Sequence, residues 1–210
     1  MANLLDAFSR NNHGKQPEKI IVYRSSLSKS QFKNALETEV KYIREACKDI
    51  NENYKPGVAF ISVQKSNHIR FKPENEKDGV GKMKNIPPGA IIEDTVTDSL
   101  YQDFLLCSHL AEQGTSRATR YTVLENDTSM TAHEIQKLTY DLCHCYAPGT
   151  SSISVPAPVR YARLAGRRVW TKLLCYEENS CDDEFQLISS ETALKFTKVD
   201  DALKNTMYFV

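Results

Sequence analysis

Apolar and polar positions alternate along this chain with two different periods, and the changes of period divide it into segments. Leu4, Leu5 and Phe8 form a helical stripe, predicting an opening helix followed by a polar link from Asn11 to Pro17. Lys19 to Arg24 is a compact strand pattern bounded by that link and by Ser25-Ser26. Ser28 with Gln31 three residues on is a capping box. It opens a long helix whose apolar positions Phe32, Leu36, Val40, Ile43, Ala46 and Ile50 step by three or four, and Lys55-Pro56-Gly57 ends it. Strands are predicted at Val58 to Gln64, His68 to Phe71, Ala90 to Glu93, Tyr101 to Cys107 and Arg120 to Leu124. The charged stretch Lys72 to Lys84 reads as an exposed loop and Pro87 to Gly89 as a turn. Thr131 with Glu134 is a second capping box, opening a helix to about Tyr146. A basic helix runs from about Val159 to Leu174, an acidic loop from Glu177 to Glu184, and the chain ends on the apolar Met207-Tyr208-Phe209-Val210. Strands alternating with helices predict an α/β fold with helices on the faces of a sheet.

Composition narrows this picture. The chain has 210 residues, with 27 Lys plus Arg balancing 27 Asp plus Glu. That length is one domain's allotment, and the balance disfavours nucleic-acid binding by bulk charge while leaving a local basic groove open. The opening residues lack the apolar core of a secretory signal, and the apolar run Val58 to Val63 is far short of the roughly 20 residues that cross a membrane. A soluble, intracellular protein is expected, cytoplasmic, with nuclear residence left open. The cysteines Cys47, Cys107, Cys143, Cys145, Cys175 and Cys181 therefore read as thiols. No CxxC pair marks a zinc site, and Cys143-His144-Cys145 on one helix cannot all face one ion.

The order of longer motifs carries a resemblance. YRSSLSKSQF (Tyr23 to Phe32), REACKDINENYKPG (Arg44 to Gly57), VQKSNHIRF (Val63 to Phe71) and NIPPGAIIEDTVTD (Asn85 to Asp98) come first. DFLLCSHLAEQGTSRATRYTVL (Asp103 to Leu124), SISVPAPVRYARL (Ser152 to Leu164) and the tail NTMYFV follow. Together these segments resemble the C-terminal two-thirds of the Piwi domain of Argonaute proteins, over Leu4 to Val210. The resemblance implies an RNase H-like fold, a mixed sheet flanked by helices, with the family's N-terminal strands missing. The whole chain is read as one partial Piwi domain: helix and link over 1–18, core over 19–176, an acidic and variable segment over 177–198, and a tail over 199–210. Without neighbouring strands, Ile20, Ile21 and Val22 would lie on a sheet edge, a pairing hazard unless the first helix or another chain covers it.

That fold cleaves RNA with two magnesium ions held by acidic side chains and usually a histidine, because hydrolysis puts negative charge on attacking and leaving oxygens. The resemblance implies that these ligands are lost here. The family's first Asp and its Glu would precede anything in this chain, Ser25 stands at the Asp of Tyr-Arg-Asp, and Arg163 stands at the His of Tyr-Ala-His. A serine hydroxyl is a poor magnesium ligand. A fixed cation about 4 Å from another costs roughly 4 kcal/mol per unit-charge pair at an effective dielectric near 20, doubled for a divalent ion. The expectation is a non-cleaving chain without a cofactor.

What the resemblance leaves is an RNA-binding surface for a small guide RNA or its target in gene silencing. Arg168 matches the arginine that reaches the guide's 5′-terminal phosphates, and the carboxylate of Val210 lies near that pocket in relatives. Ser154, Arg117, Tyr146, Lys65, His68 and Arg70 match positions lining the guide or target channel. Arg160, Arg163 and Arg167 share one helical face, with Arg168 and Lys172 on a neighbouring one, a spacing that suits bidentate contacts to phosphates. Ser66 and Pro148 depart from the family's basic residues and thin that lining. A basic helix face can equally be solvated or paired with Glu177 to Glu184. His109 reads as a satisfied buried histidine. Ile50 and Tyr54 read as core residues, or, by resemblance, as a pocket for tryptophan side chains of silencing partners. The alternative function is a protein-interaction or vestigial Argonaute fragment that binds no RNA.

Overall fold

A computed structural model describes residues 1–98, 100–179, 198–203 and 206–210, with 175–179 by backbone alone. Contacts divide the chain into two compact units, Met1–Pro156 and Ala157–Val210.

In the first unit the described strands are β1 (Lys19–Ser25), β2 (Gly57–Gln64), β3 (Ala90–Ile92), β4 (Gln102–Cys107) and β5 (Thr119–Asn126). They form one mixed sheet in the order β1-β2-β5-β4-β3. β1 pairs in parallel with β2, from Lys19 opposite Gly57 to Ser25 opposite Val63, and the remaining pairings are antiparallel. β2 reads GVAFISVQ and is buried along nearly its whole length, as a strand covered on both faces should be. β1 is a sheet edge among the described residues, with Ile20, Ile21 and Val22 half-buried. The opening helix α1 (Ala2–Asn11) packs against α3 (Lys41–Ile50).

Both capping boxes form. The Ser28 amide donates to Gln31 Oε1 at 3.0 Å, starting a single turn of 3₁₀ helix, and the Thr131 amide donates to Glu134 Oε2 at 2.7 Å, opening α4 (Ala132–Leu142). The long helix after Ser28 is not regular. A four-residue α2 (Phe32–Ala35) widens into a π-type turn over Leu36–Val40 before α3 resumes the α-helical period. Its buried positions are accordingly Phe32, Ala35, Val40, Ile43 and Cys47, whereas Ile50 is exposed and Leu36 and Ala46 are half-covered. The wide turn carries one residue more than an α turn, so the inward face moves past the positions that a uniform 3.6-residue period selects.

One sheet face is covered by Leu27, Phe32, Ala35, Val40 and Ile43 packed on Val58 and Phe60. The same face continues as a second cluster in which Ile86, Ile69, Phe71 and Val96 pack on Leu105 and Cys107. The opposite face carries Tyr121, stacked on Phe104 with centroids 5.1 Å apart, and is covered by α4 through Ile135, Thr139 and Cys143.

Four boundaries differ from the pattern. The segment His68 to Phe71 is not a strand: β2 ends at Gln64 and 65–73 is irregular. Its alternation arises because Ile69 and Phe71 turn into the second cluster while His68 and Arg70 face solvent, with no neighbouring strand to pair. α4 stops at Leu142 rather than near Tyr146. The basic helix, α5, spans Ala157–Asn179, so the first residues of the expected acidic loop continue it. The rest of that loop, 180–184, lies outside the described residues, as does Cys181.

Candidate nucleic-acid interface

The carboxyl ends of β1, β2 and β4 and the amino end of β5 meet at one end of the sheet, because β2 runs parallel to β1 and antiparallel to β5. Ser25, Lys65, Ser108 and Thr119 stand at those four strand ends. Three loop hydrogen bonds then gather the basic side chains. Asn67 Nδ2 donates to the Ala118 carbonyl at 2.9 Å, fastening the Lys65 to Arg70 segment beside Arg117. Thr119 Oγ1 donates to the Ser154 carbonyl at 2.6 Å, and Ser108 Oγ donates to the Ile153 carbonyl at 2.7 Å, bringing the 153–154 segment to the same end. The loop that carries Arg117 is braced by buried Asn85, whose Oδ1 accepts from the Ser116 amide at 2.9 Å and whose Nδ2 donates to the Gly114 carbonyl at 3.0 Å.

Lys65, His68, Arg70 and Arg117 are all exposed on this end, and Ser154 is half-buried. Arg70 donates to the Asn67 and Ile69 carbonyls at 3.0 and 2.7 Å, which curls its guanidinium back over its own segment and orders it. Tyr146 is half-buried in the turn after α4, its ring against Gly149.

Two residues of this surface were missed. Asn67 supplies the bond that joins two basic loops. His109 follows Ser108 and is not a satisfied histidine: its Nδ1 is buried without a hydrogen-bond partner. Burial pushes its pKa down, and the nearby Lys65 charge pushes the same way. A neutral imidazole with an idle nitrogen is thus held next to Lys65. Its position directly after the apolar strand β4 was the available signal.

The fit of this end to a divalent ion fails on its donors. Ser25 offers a neutral hydroxyl at the end of β1. The neighbouring Arg24 is paired with Glu39 at 3.0 Å, so that carboxylate is already engaged. Among the described residues no three His, Cys, Asp or Glu side chains converge to hold an ion.

In the second unit, α5 carries Arg160, Arg163, Arg167, Arg168 and Lys172. Arg163 is half-buried, and Arg167 and Arg168 are exposed. Arg168 Nη1 donates to the Tyr208 carbonyl at 2.6 Å, and its guanidinium carbon stands 5.8 Å from the centroid of the Tyr208 ring. Tyr161 meets Phe209 at 5.9 Å between centroids. The tail therefore folds back on the helix, and exposed Val210 lies two residues from the carbonyl that holds Arg168.

Tyr54 sits between two clefts away from this end of the sheet. Its hydroxyl donates to the Pro17 carbonyl at 2.7 Å. One cleft of about 320 Å³ is lined by Gln16, Pro17, Glu18, Asn53, Tyr54 and Lys55. The other, about 350 Å³, lies on the α3 side. Ile50 lines neither.

The Piwi domain profile matches residues 1–173. Protein tag-76 of Caenorhabditis elegans is 44% identical over 175 residues, covering 81% of this chain and 17% of that protein. The C-terminal lobe of a budding yeast Argonaute superposes with a TM-score of 0.87 at 29% identity, over 100% of this chain and 43% of the other. Kluyveromyces polysporus Argonaute, solved with a guide RNA, gives 0.84 at 29% identity over 100% of this chain and 26% of the other. Drosophila Piwi gives 0.66 at 33% identity over 77% and 22%. The chain thus spans less than half the length of each of these relatives.

Proposed function

Since the chain belongs to the Piwi domain family, we propose that it binds single-stranded RNA, a small guide or its target, without cleaving it, as part of RNA-mediated silencing. The observation that carries this reading is the Asn67 to Ala118 bond, which sets exposed Lys65, Arg70 and Arg117 on one end of the sheet. Cations fixed at strand ends by backbone-anchored loops give a polyanion several contacts at little ordering cost. Arg168, ordered against the tail, would add a contact for a terminal phosphate. His109 and Ser154 would add neutral hydrogen-bonding groups suited to a ribose hydroxyl. A similar solved Argonaute holds a guide RNA, which supports the same ligand class here.

The absence of cleavage rests on Ser25 and Arg163. A hydroxyl and a guanidinium at those two positions supply no anionic ligand to clamp a pair of magnesium ions. The proposed setting is the cytoplasm.

Filter binding of 5′-phosphorylated single-stranded RNA across a salt series tests the binding reading. Retention at low salt with a steep negative slope is expected, and no retention at low salt overturns it. Labelled complementary RNA incubated with magnesium should remain intact, and a metal-dependent product would overturn the non-cleaving reading. The two clefts beside Tyr54 favour a second reading, a protein-interaction chain that takes tryptophan-bearing partners and binds no RNA. Its signature is partner capture that Tyr54→Ala abolishes, with no RNA retained.

A further inference from the structure

The cleft on the α3 side of Tyr54 lies between the last turn of α3, the Asn51 to Pro56 turn, the start of β2 and the loop after β5. Its wall is fixed by an ion network. Arg44 Nη2 pairs with both Glu125 and Asp127, the latter at 2.7 Å, and Asp127 also accepts from the Val58 amide. Those carboxylates are therefore neutralised and held. The interior is apolar: the Tyr54 ring, Pro56 and the buried Cys47 line it. Burial raises the Cys47 thiol above its usual range, so it presents a neutral, apolar surface.

The rim has the opposite character. Lys48 and Lys55 both line the opening and are exposed. Among the described residues neither has an ion-pair partner, although Lys33, Lys41 and Lys137 each pair with a carboxylate four residues on. Lys48 also stands in the last turn of α3, where its charge offsets the negative end of the helix dipole. An apolar recess of about 350 Å³ is large enough for one side chain and too small for a nucleotide with its backbone.

We propose that this cleft docks an acidic peptide segment of a protein partner, one apolar side chain entering against Tyr54, Pro56 and Cys47 while flanking carboxylates meet Lys48 and Lys55. The peptide's charge complements the two unpaired ammonium groups, and its apolar residue displaces water from the recess. The site stands apart from the basic strand ends, so it is independent of RNA binding.

The test uses the full chain and a fluorescein-labelled pentapeptide, leucine flanked by two glutamates on each side, followed by fluorescence anisotropy. Saturable, salt-sensitive binding is expected, weakened about tenfold or more by Lys48→Glu with Lys55→Glu, as charge reversal at a rim should do. Both residues are exposed, so the fold survives these changes, and an unchanged circular dichroism spectrum verifies that. Lack of saturation, equal binding to the charge-reversed variant, or competition by single-stranded RNA that the variant abolishes would each overturn the assignment. The last outcome would give the rim to RNA. Arg117→Ala should leave peptide binding unaltered, which separates this site from the proposed RNA surface.

Discussion

The hydroxyls of Tyr23 and Thr139 lie 2.9 Å apart, joining edge strand β1 to helix α4 across one face of the sheet. Thr139 Oγ1 already donates to the Ile135 carbonyl at 2.6 Å, so its single proton is spent and Tyr23 must be the donor. Tyr23→Phe should then cost about 1 kcal/mol of stability in urea unfolding, the net worth of one such bond. Burial raises the Tyr23 pKa from 10.0 to about 12. The folded state favours the neutral phenol, so this contribution is intact below pH 10 and is lost as pH climbs to about 12. Wild type should therefore lose more stability than Tyr23→Phe over that window.

Asp103 is a buried carboxylate at the centre of a polar island. Arg120 Nε donates to it at 2.8 Å, Thr122 Oγ1 at 3.1 Å, and the Asp98 amide at 2.9 Å. Asp98 in turn pairs with Lys29 at 2.5 Å, tying the loop before β4 to the first helical turn. Asp103→Ala strands the Arg120 guanidinium and should destabilise by about 3–5 kcal/mol, the usual cost of orphaning a buried charge. Asp103→Asn, which keeps shape and hydrogen-bonding atoms, should cost measurably less in the same denaturation.

Gly57 opens β2 against the loop after β5. A Cβ there would meet the Asp127 carbonyl oxygen and the Thr128 Cα, both at 2.9 Å, and neither backbone atom can rotate away. Gly57→Ala should lower stability by about 1–3 kcal/mol through overpacking, read as a fall in melting temperature. Gly14, with open space around it, tolerates bulk better by contact, although its φ of +82° still favours glycine.

For RNA, Arg117→Ala should reduce the slope of log affinity against log salt by about 1, the signature of one lost phosphate contact. Arg168→Ala should do the same and reduce any preference for a 5′-phosphate. Lys33→Ala, which removes an exposed lysine on α2 paired with Glu37, serves as the control and should leave the slope unmoved. Equal slopes in all four proteins would remove the arginines from the interface.

Local chemistry was readable where it acts within a few residues. Ser28 with Gln31 and Thr131 with Glu134 declare their helix starts because both partners lie within one turn. The buried run of β2 declares itself by composition. His68 to Phe71 misleads because alternation records which side chains go inward, and an irregular segment draped over Leu105 and Cys107 alternates just as a strand does. The interface was legible as a set of residue types, Lys65, Arg70 and Arg117, and not as a place. Their assembly depends on an asparagine amide reaching a carbonyl 51 residues away. No periodicity encodes that pairing. His109 escaped notice for a related reason, since an unpaired ring nitrogen becomes visible only when every neighbour has a position.

The widened turn over Leu36–Val40 makes chain length in that segment a structural constraint. Ala35 before it and Val40 after it both look inward because the surplus residue there absorbs about 100° of rotation, one α-helical step. Removing any single residue between them would reset the phase, swinging Val40, Ile43 and Cys47 off the sheet and driving hydrophilic neighbours such as Lys41 and Arg44 towards Phe60. Arg44 would then let go of Asp127, and the wall it braces would loosen with it. An indel in this helix is for that reason more damaging than any conservative exchange of its side chains.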